Sequence, residues 1–354
     1  LSWTAEGTTG RVDHQGATLS LAADEGGARG RAEWDLGPLG GLEAELRAEA
    51  PPPGVGPFER LKARPLEAAA SVRLESLSPA APFLEALQDV DGRLNGTLRV
   101  AGSWQEPRPS GRLQLQEAQA RVPALGTTWE QIELTARTAG AHRIELEGSG
   151  RCGEGTANVV GEARLAESGE PELSLEIRGE RVTLLDRPEA WLLADPELTV
   201  ALRPDRIAVN GSVTVPEGEL DIEEGQGAPV ESSPDVVVVR GERPVEPESS
   251  ALPQMLEVHV RVELGDSVAV TGQGLDARLA GALEIDQEPG QPLPTGDGVI
   301  RIEDGQYKAY GRKLELRRGR LMFQGGPVDD PALDVVAARE AEDGTLAGVR
   351  ISGR

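Results

Sequence analysis

Apolar and polar residues alternate along much of the C-terminal third of this chain. Within Leu256–Leu264 aliphatic residues occupy every second position, and Glu, His and Arg occupy the positions between them. The same period of two recurs at Leu314–Arg317 and at Arg320–Gln324. A period of two places one set of side chains on one face of a β-strand and the other set on the opposite face. The pattern therefore predicts strands that are apolar on one face and charged on the other.

Glycine and proline interrupt these strands at short intervals. We interpret Arg318-Gly319 and Gly325-Gly326-Pro327 as turns, because glycine permits tight reversals and proline cannot donate a backbone hydrogen bond. Upstream, short alternating runs recur between similar breaks from the N-terminus onward. Many short strands at regular spacing are typical of a sandwich, a barrel or a solenoid, not of alternating strands and helices.

One segment has a helical period instead. Ser78 is a suitable N-cap, and Pro79 suits the first helical turn. The apolar residues that follow are spaced to share one helix face: Phe83, Leu84, Leu87 and Val90. The spacing predicts one short helix over about Pro79–Val90 in an otherwise all-β chain.

Composition divides the chain into three predicted regions. Residues 1–222 form a repeated β-sheet segment that contains the helix. Residues 223–253 are rich in Glu, Pro, Ser and Gly and are predicted to be an acidic, mobile loop with a short strand at Val236–Val239. Residues 254–354 continue the sheet.

The charge balance excludes some partners. The chain has 36 basic and 60 acidic residues, a net charge of −24. Such a chain is expected to repel nucleic acids and anionic membrane surfaces. Aromatic residues make up only 3%, so small and aliphatic side chains must form the apolar contacts. That composition suits a thin contact between sheets better than a deep globular core.

No stretch of the sequence predicts a catalytic, metal or cofactor site. The segment Gly272-Gln273-Gly274-Leu275-Asp276-Ala277 resembles a dinucleotide fingerprint, but a strand follows it and leaves no helix N-terminus for a phosphate. His14, His142 and His259 are far apart and are predicted to be solvated surface histidines. Cys152 is predicted to be an incidental thiol in a glycine-rich turn.

The apolar face itself is the feature with functional content, because a sheet must bury its apolar face against something. Two outcomes stay open at this point: a dry sandwich or solenoid, or a folded sheet whose slot another molecule fills. The candidate groove-lining residues are Leu256, Val258, Val260, Val262, Leu264, Val268, Val270, Leu283, Ile285, Leu314, Leu316, Leu321, Phe323, Leu333 and Val335. The neighbours predicted to face water are Glu257, Arg261, Glu263, Glu315, Arg317 and Asp334.

Several of these segments carry a family resemblance. The segments Gly298–Gly311, Leu314–Leu316, Gly319–Phe323 and Pro331–Val335 resemble, in order and spacing, the C-terminal region of the TamB family. This family belongs to the AsmA-like, bridge-like lipid-transfer group of Gram-negative envelope proteins. Gly92–Gln116 looks like the repeat unit of the same group.

The resemblance implies an elongated, mainly antiparallel sheet folded lengthwise into a U-shaped hydrophobic groove, called a β-taco. It implies a periplasmic protein, neither enzyme nor cofactor-dependent, that conducts phospholipid between inner and outer membrane with the acyl chains in the groove. An Omp85-type, TamA-like outer-membrane barrel is the implied partner. The alternative is a scaffold for assembling outer-membrane β-barrels or autotransporters, with client β-strands as partners. Since the chain begins at Leu1 without Met, we expect a fragment whose inner-membrane anchor lies outside it.

Overall fold

The computed structural model describes residues 2–4, 9–14, 16–24, 27–49, 66–78, 86–103, 107–140, 142–165, 171–222, 255–309, 312–340 and 346–353. Nearly all of these residues lie in β-strands, which confirms the predicted all-β class. The chain divides into two units, Leu1–Glu176 and Ile177–Arg354. No helix within the described ranges has the length and apolar composition needed to cross a membrane.

Unit 1 is built from consecutive strands. They are β1 (Ser2–Thr4), β2 (Thr9–His14), β3 (Ala17–Asp24), β4 (Gly27–Asp35), β5 (Gly40–Glu49), β6 (Leu66–Leu74), β7 (Gln88–Gly102), β8 (Pro107–Val122), β9 (Thr127–Thr138), β10 (Arg143–Cys152) and β11 (Gly155–Leu165). A 3₁₀ turn at Gly37–Leu39 joins β4 to β5. Strand β12 (Pro171–Glu180) spans the division between the units.

Each strand of unit 1 from β1 to β11 pairs antiparallel with its neighbours in sequence. Residues that pair across an antiparallel ladder share a face. The alternation along each strand is therefore copied from strand to strand, and one face of the sheet becomes continuous and apolar.

A line of β-bulges crosses the longer strands of unit 1. Asp89, Glu117 and Gln131 have φ near +50° in β7, β8 and β9, at the points where the pairing register shifts. The register of β10 shifts beside Gly150. A bulge bends its strand and increases its twist, so aligned bulges bend the sheet along one line. The buried apolar side chains of unit 1 lie close to that line: Val90, Ala118, Ala120, Cys152 and Ala157.

Unit 2 continues with β13 (Val182–Arg187), β14 (Ala190–Arg203), β15 (Arg206–Asp221), β16 (Leu256–Gly272), β17 (Leu275–Gln287), β18 (Thr295–Ala309), β19 (Arg312–Pro327), β20 (Ala332–Glu340) and β21 (Leu346–Gly353). Strands β13 to β15 are antiparallel, as are β16 to β21. Strands β15 and β16 run parallel, with Ile207 opposite Leu256 and Asp221 opposite Thr271.

Unit 2 has its own bulge line. Register shifts occur after Leu193 in β14, after Val215 in β15, after Leu264 in β16 and after Leu316 in β19. In β18 the positive φ of Asp304 marks the same irregularity. The most deeply buried side chains again lie beside the line, and they include Ala194, Val215, Val268, Ala277 and Ala337. The core of each unit is thus a strip along its bend, not a central mass.

Two expectations from the sequence need correction. The final residues of the predicted helix, Gln88–Val90, begin strand β7, because their pairing with β8 satisfies the backbone that a helix would otherwise satisfy. Residues 79–85 lie outside the described residues, as does the predicted acidic loop at 223–253. Both predicted turns lie inside β19. Arg318-Gly319 is a bulge, where a Cβ on Gly319 would lie 2.5 Å from the Cβ of Ile302. Gly325-Gly326-Pro327 ends the strand, with Gly326 paired to Gly296 and Pro327 to Thr295.

Candidate functional site

An open apolar groove lies on the inner face of unit 1. It has a volume of about 750 Å³ and is formed by strands β3 to β10. The apolar residues that line it are Ala17, Leu19, Ala32, Trp34, Leu42, Ala44, Ala70, Val72, Gly96, Leu98, Gly111, Leu113, Ala136 and Ile144. We call this surface the unit 1 groove.

Register explains why these side chains meet. Trp34 pairs with Leu42, Leu42 with Val72, Val72 with Gly96 and Gly96 with Leu113, so one row runs across five strands. Glycine in the row allows its neighbours to lie flat, because a Cβ on Gly96 would come within 2.5 Å of Leu113 Cδ1. Gly96 therefore leaves a depression in the row between the larger side chains of Val72 and Leu113.

The side chains of the groove stay exposed beside the other described residues of unit 1. Trp34 is 49% exposed, Leu98 is 45% exposed and Leu113 is 41% exposed. Soluble monomers seldom expose contiguous apolar surface of this extent, and where they do it commonly marks a binding surface. The bend explains the opening, since side chains beside the bulge line are buried and those farther from it are exposed.

The groove surface is apolar although polar residues alternate with the residues that line it. Thr138 is a polar side chain on the inner face, and its hydroxyl accepts a hydrogen bond of 2.8 Å from the backbone N–H of Gly111. Glu43 and Arg137 occupy alternate positions, whose side chains lie on the opposite face. Arg137 forms an ion pair there with Glu145 at 2.9 Å. The groove can therefore hold an apolar chain but offers little to orient a polar group.

The residues predicted from the sequence all lie in unit 2. Their alternation is preserved: Val213 pairs with Val262, Val262 with Leu283, Leu283 with Gly298 and Gly298 with Phe323. Most of the predicted positions are half-buried: Leu256, Val258, Val260, Val262, Leu264, Ile285, Leu314, Leu316, Leu321, Leu333 and Val335.

The remaining predicted positions are buried. Val268 is 1% exposed and Val270 is 4% exposed, while Leu283 and Phe323 are each 9% exposed. Val268 lies beside the bulge line, among the most deeply buried side chains of the unit, so its first role is to form the core. The participation of the predicted set in lipid binding stays a prediction.

The predicted water-facing residues form ion pairs, some within one strand and some between neighbouring strands. Arg261 contacts Glu263 at 2.9 Å and Glu284 at 3.1 Å, and hydrogen bonding to Glu263 is the main cause that raises the pKa of Arg261. Glu315 and Arg317 are exposed and pair with each other. Asp334 is only half-exposed, because Arg318 and Arg350 approach it from the two neighbouring strands.

The alternation in the sequence also extends to strands of the unit 1 groove, although none of their residues was predicted to line a groove. Ala17–Leu21 and Leu42–Ala48 alternate in the same way as the C-terminal strands. The alternation showed that these residues share a face. It did not show that their face would stay open while the face of unit 2 packs more closely.

The residues with reactive side chains do not assemble into a site. Within the described ranges no group of three or more His, Cys, Asp or Glu residues is arranged to hold a metal ion. The glycines of the fingerprint-like segment form a tight turn between β16 and β17, with Gln273 at φ +49°. Cys152 is not in a turn as predicted: it ends strand β10 and is buried against the bend.

His259 titrates within an ion-pair cluster on the outer face of unit 2. Its Nδ1 lies 2.5 Å from Asp286 Oδ1, and its Nε2 lies 3.5 Å from Glu257 Oε1. The hydrogen bond to Asp286 is the main cause that raises the pKa of His259 above 6.5, with a smaller contribution from Glu257. A raised folded-state pKa stabilises the protein fully below pH 6.5, and the stabilisation is lost as pH rises through the folded-state pKa.

We therefore expect wild-type protein to exceed His259→Gln in unfolding free energy at about pH 5 and to lose that advantage by about pH 8. The effect should be on the order of 0.5 kcal/mol, because solvent screens an exposed pair. Urea unfolding at several pH values measures it. Asp286→Asn is the matched control and should remove most of the pH dependence; a difference that does not change with pH would contradict the assignment.

The fold and the groove together define an all-β groove protein: a sheet of sequentially paired strands, bent along a bulge line, with an open apolar inner face. Residues 147–354 match the TamB C-terminal domain. The chain belongs to the TamB family.

A curated relative extends the similarity toward the N-terminus. The translocation and assembly module subunit TamB of Haemophilus influenzae (strain ATCC 51907 / DSM 11121 / KW20 / Rd) is 24% identical over 306 residues, which cover 82% of this chain. The chain spans 23% of the length of that relative.

Proposed function

We propose that the chain is a periplasmic segment of a TamB-like protein and that its groove holds phospholipid acyl chains as they pass between the inner and outer membrane. The observation that carries the proposal is the unit 1 groove, whose exposed side chains are apolar. Membership of the TamB family supports the envelope location. The inner-membrane anchor of the parent protein and an Omp85-type outer-membrane partner are part of the proposal.

The physical chemistry of the groove suits a sliding apolar ligand. Burying a methylene group contributes about 0.8 kcal/mol, so an acyl chain needs no polar contact to stay bound. The volume of about 750 Å³ lies within the range of sites that bind small molecules. Because the polar face lies on the other side of the sheet, the described strands place no charged side chain in the path of a ligand that moves along the groove.

A second candidate function is the assembly of outer-membrane β-barrels. The relative is designated a translocation and assembly module subunit. Strand β21 pairs with β20 along one side, and its side chains Val349 and Ile351 are more than 40% exposed. Strand addition, in which a client strand pairs with a strand of the sheet, is the interaction that such assembly would use.

Photo-crosslinking distinguishes the two functions. A crosslinking amino acid at Leu98 projects into the groove, whereas one at Arg99 projects from the opposite face. We expect the Leu98 position, expressed in a Gram-negative host, to crosslink to phospholipid and the Arg99 position not to. Mass spectrometry of an organic extract identifies the bound lipid. Crosslinks from Leu98 to polypeptide instead of lipid would favour assembly, and equal lipid labelling at both positions would contradict the groove.

A further inference from the structure

One hairpin of unit 2 carries a net positive charge, opposite in sign to the net charge of the whole chain. Segment 307–320 carries six basic residues and one acidic residue, whereas the whole chain has a net charge of −24. This segment contains the end of β18 and the start of β19. The positive charge is therefore concentrated locally and does not follow from the overall composition.

The cations of the hairpin lie side by side on its outer face. Lys308 pairs directly with Lys313, and Arg320 pairs directly with Arg301, whose guanidinium also forms an ion pair with Glu303 at 3.1 Å. All four side chains are exposed. Like charges placed directly opposite each other on a sheet are destabilising, so folding alone does not account for this arrangement.

Elsewhere in unit 2, outer-face cations have acidic partners. Arg206 pairs with Glu257 at 3.0 Å, and Arg261 lies between two glutamates. In contrast, Lys308, Lys313 and Arg320 form no ion pair with any residue that the structure describes. Asp334 lies opposite Arg320, but its carboxylate pairs with Arg318 and Arg350.

We infer that the outer face of the β18–β19 hairpin docks on an anionic lipid bilayer. The cations stand on the solvent side of a sheet, where a planar array of phosphates can meet them together without a pocket. The remaining acidic surface is repelled by the same bilayer, which orients the chain with this hairpin toward the membrane.

A bilayer fits these features better than an acidic peptide does. Peptides that add to sheets are recognised through a strand edge and side-chain pockets, whereas these cations lie on a face whose two strands are already paired with each other and with β17 and β20. The inference does not depend on lipid in the unit 1 groove, because it concerns headgroups and a different unit.

Vesicle cosedimentation of the full chain tests the inference. The probes are phosphatidylcholine vesicles with and without one third phosphatidylglycerol. We expect binding only to the anionic vesicles, weakening as salt rises. The triple variant Lys308→Gln/Lys313→Gln/Arg320→Gln should bind about 100-fold more weakly, since a cation near an anionic surface contributes about a factor of five. The variant should fold, because it removes like-charge pairs.

The matched control is Arg73→Gln/Arg99→Gln/Arg121→Gln, which removes the same charge from exposed positions in unit 1. It should bind anionic vesicles no more weakly than wild type. Equal loss in the control, equal binding to neutral vesicles, or no binding by wild type would each overturn the inference. Retention on immobilised polyglutamate without binding to anionic vesicles would overturn it in favour of an acidic polypeptide.

Discussion

Replacing Leu98 or Leu113 by Asp should abolish lipid occupancy of the unit 1 groove and leave the protein folded. Both side chains are more than 40% exposed on the apolar face, so water can reach the new carboxylate and the folded state tolerates it. An acyl chain that covers the carboxylate must desolvate it, which costs several kcal/mol. Bound phospholipid, measured by mass spectrometry of an organic extract, should fall by at least about tenfold, equivalent to about 1.4 kcal/mol.

The control for this experiment is Ser110→Asp, which adds the same charge on the opposite face of β8, across from Arg99. It should retain wild-type lipid content. Unfolding of the Leu98 and Leu113 variants, detected by circular dichroism, would show that the face is a dry core. Folded variants with normal lipid content would show that lipid does not occupy the groove.

Val268→Asp should unfold unit 2. The side chain is 1% exposed beside the bulge line. Its partners on the neighbouring strands are Gly218 and Leu279, which offer no positive charge to an introduced Asp. The substitution loses about 1.5–3 kcal/mol of apolar burial and adds the cost of a buried charge. The sum, more than about 4 kcal/mol, is a large fraction of the stability of a typical domain. Urea unfolding followed by circular dichroism measures the loss.

Val260→Asp provides the comparison within the same strand. Val260 is half-buried, and we expect this variant to fold. If both variants unfold to the same extent, the inner face of unit 2 is closed along the whole of β16, and its predicted groove-lining residues serve the core alone. If both fold, the strip along the bend is not the core of the unit.

The sequence predicted which residues share a face with good accuracy, because alternation depends only on the geometry of one strand. The alternation of Leu256–Leu264 is preserved in β16, with half-buried valines between exposed charged residues. It could not show where strands end. Glycine serves equally in a turn and in a bulge, and only the neighbouring strand distinguishes them. Gly319 was thus predicted as a turn, whereas its pairing with Val335 places it inside β19.

The same limit applies to the groove. Leu98 and Val268 are both aliphatic residues in alternating segments, yet one is 45% exposed and the other 1% exposed. The difference arises from distance to the bulge line, and that line is produced by register shifts between strands. Such shifts involve residues such as Glu117 and Gln131, and their positive φ cannot be predicted from the local sequence pattern. Alternation predicts an apolar face but does not reveal what covers it.

Pairing between sequence neighbours also determines how this chain can fold. From β2 to β11 each strand needs only the strand before it, so contact order is low and the chain can assemble strand by strand as it emerges. The parallel step from β15 to β16 differs, because the chain must return along the length of β15 before this pairing begins. Bringing two distant segments together costs conformational entropy before any contact compensates for it. Folding from the N-terminus toward the C-terminus should therefore pause after β15, whose edge stays unpaired until β16 is in place.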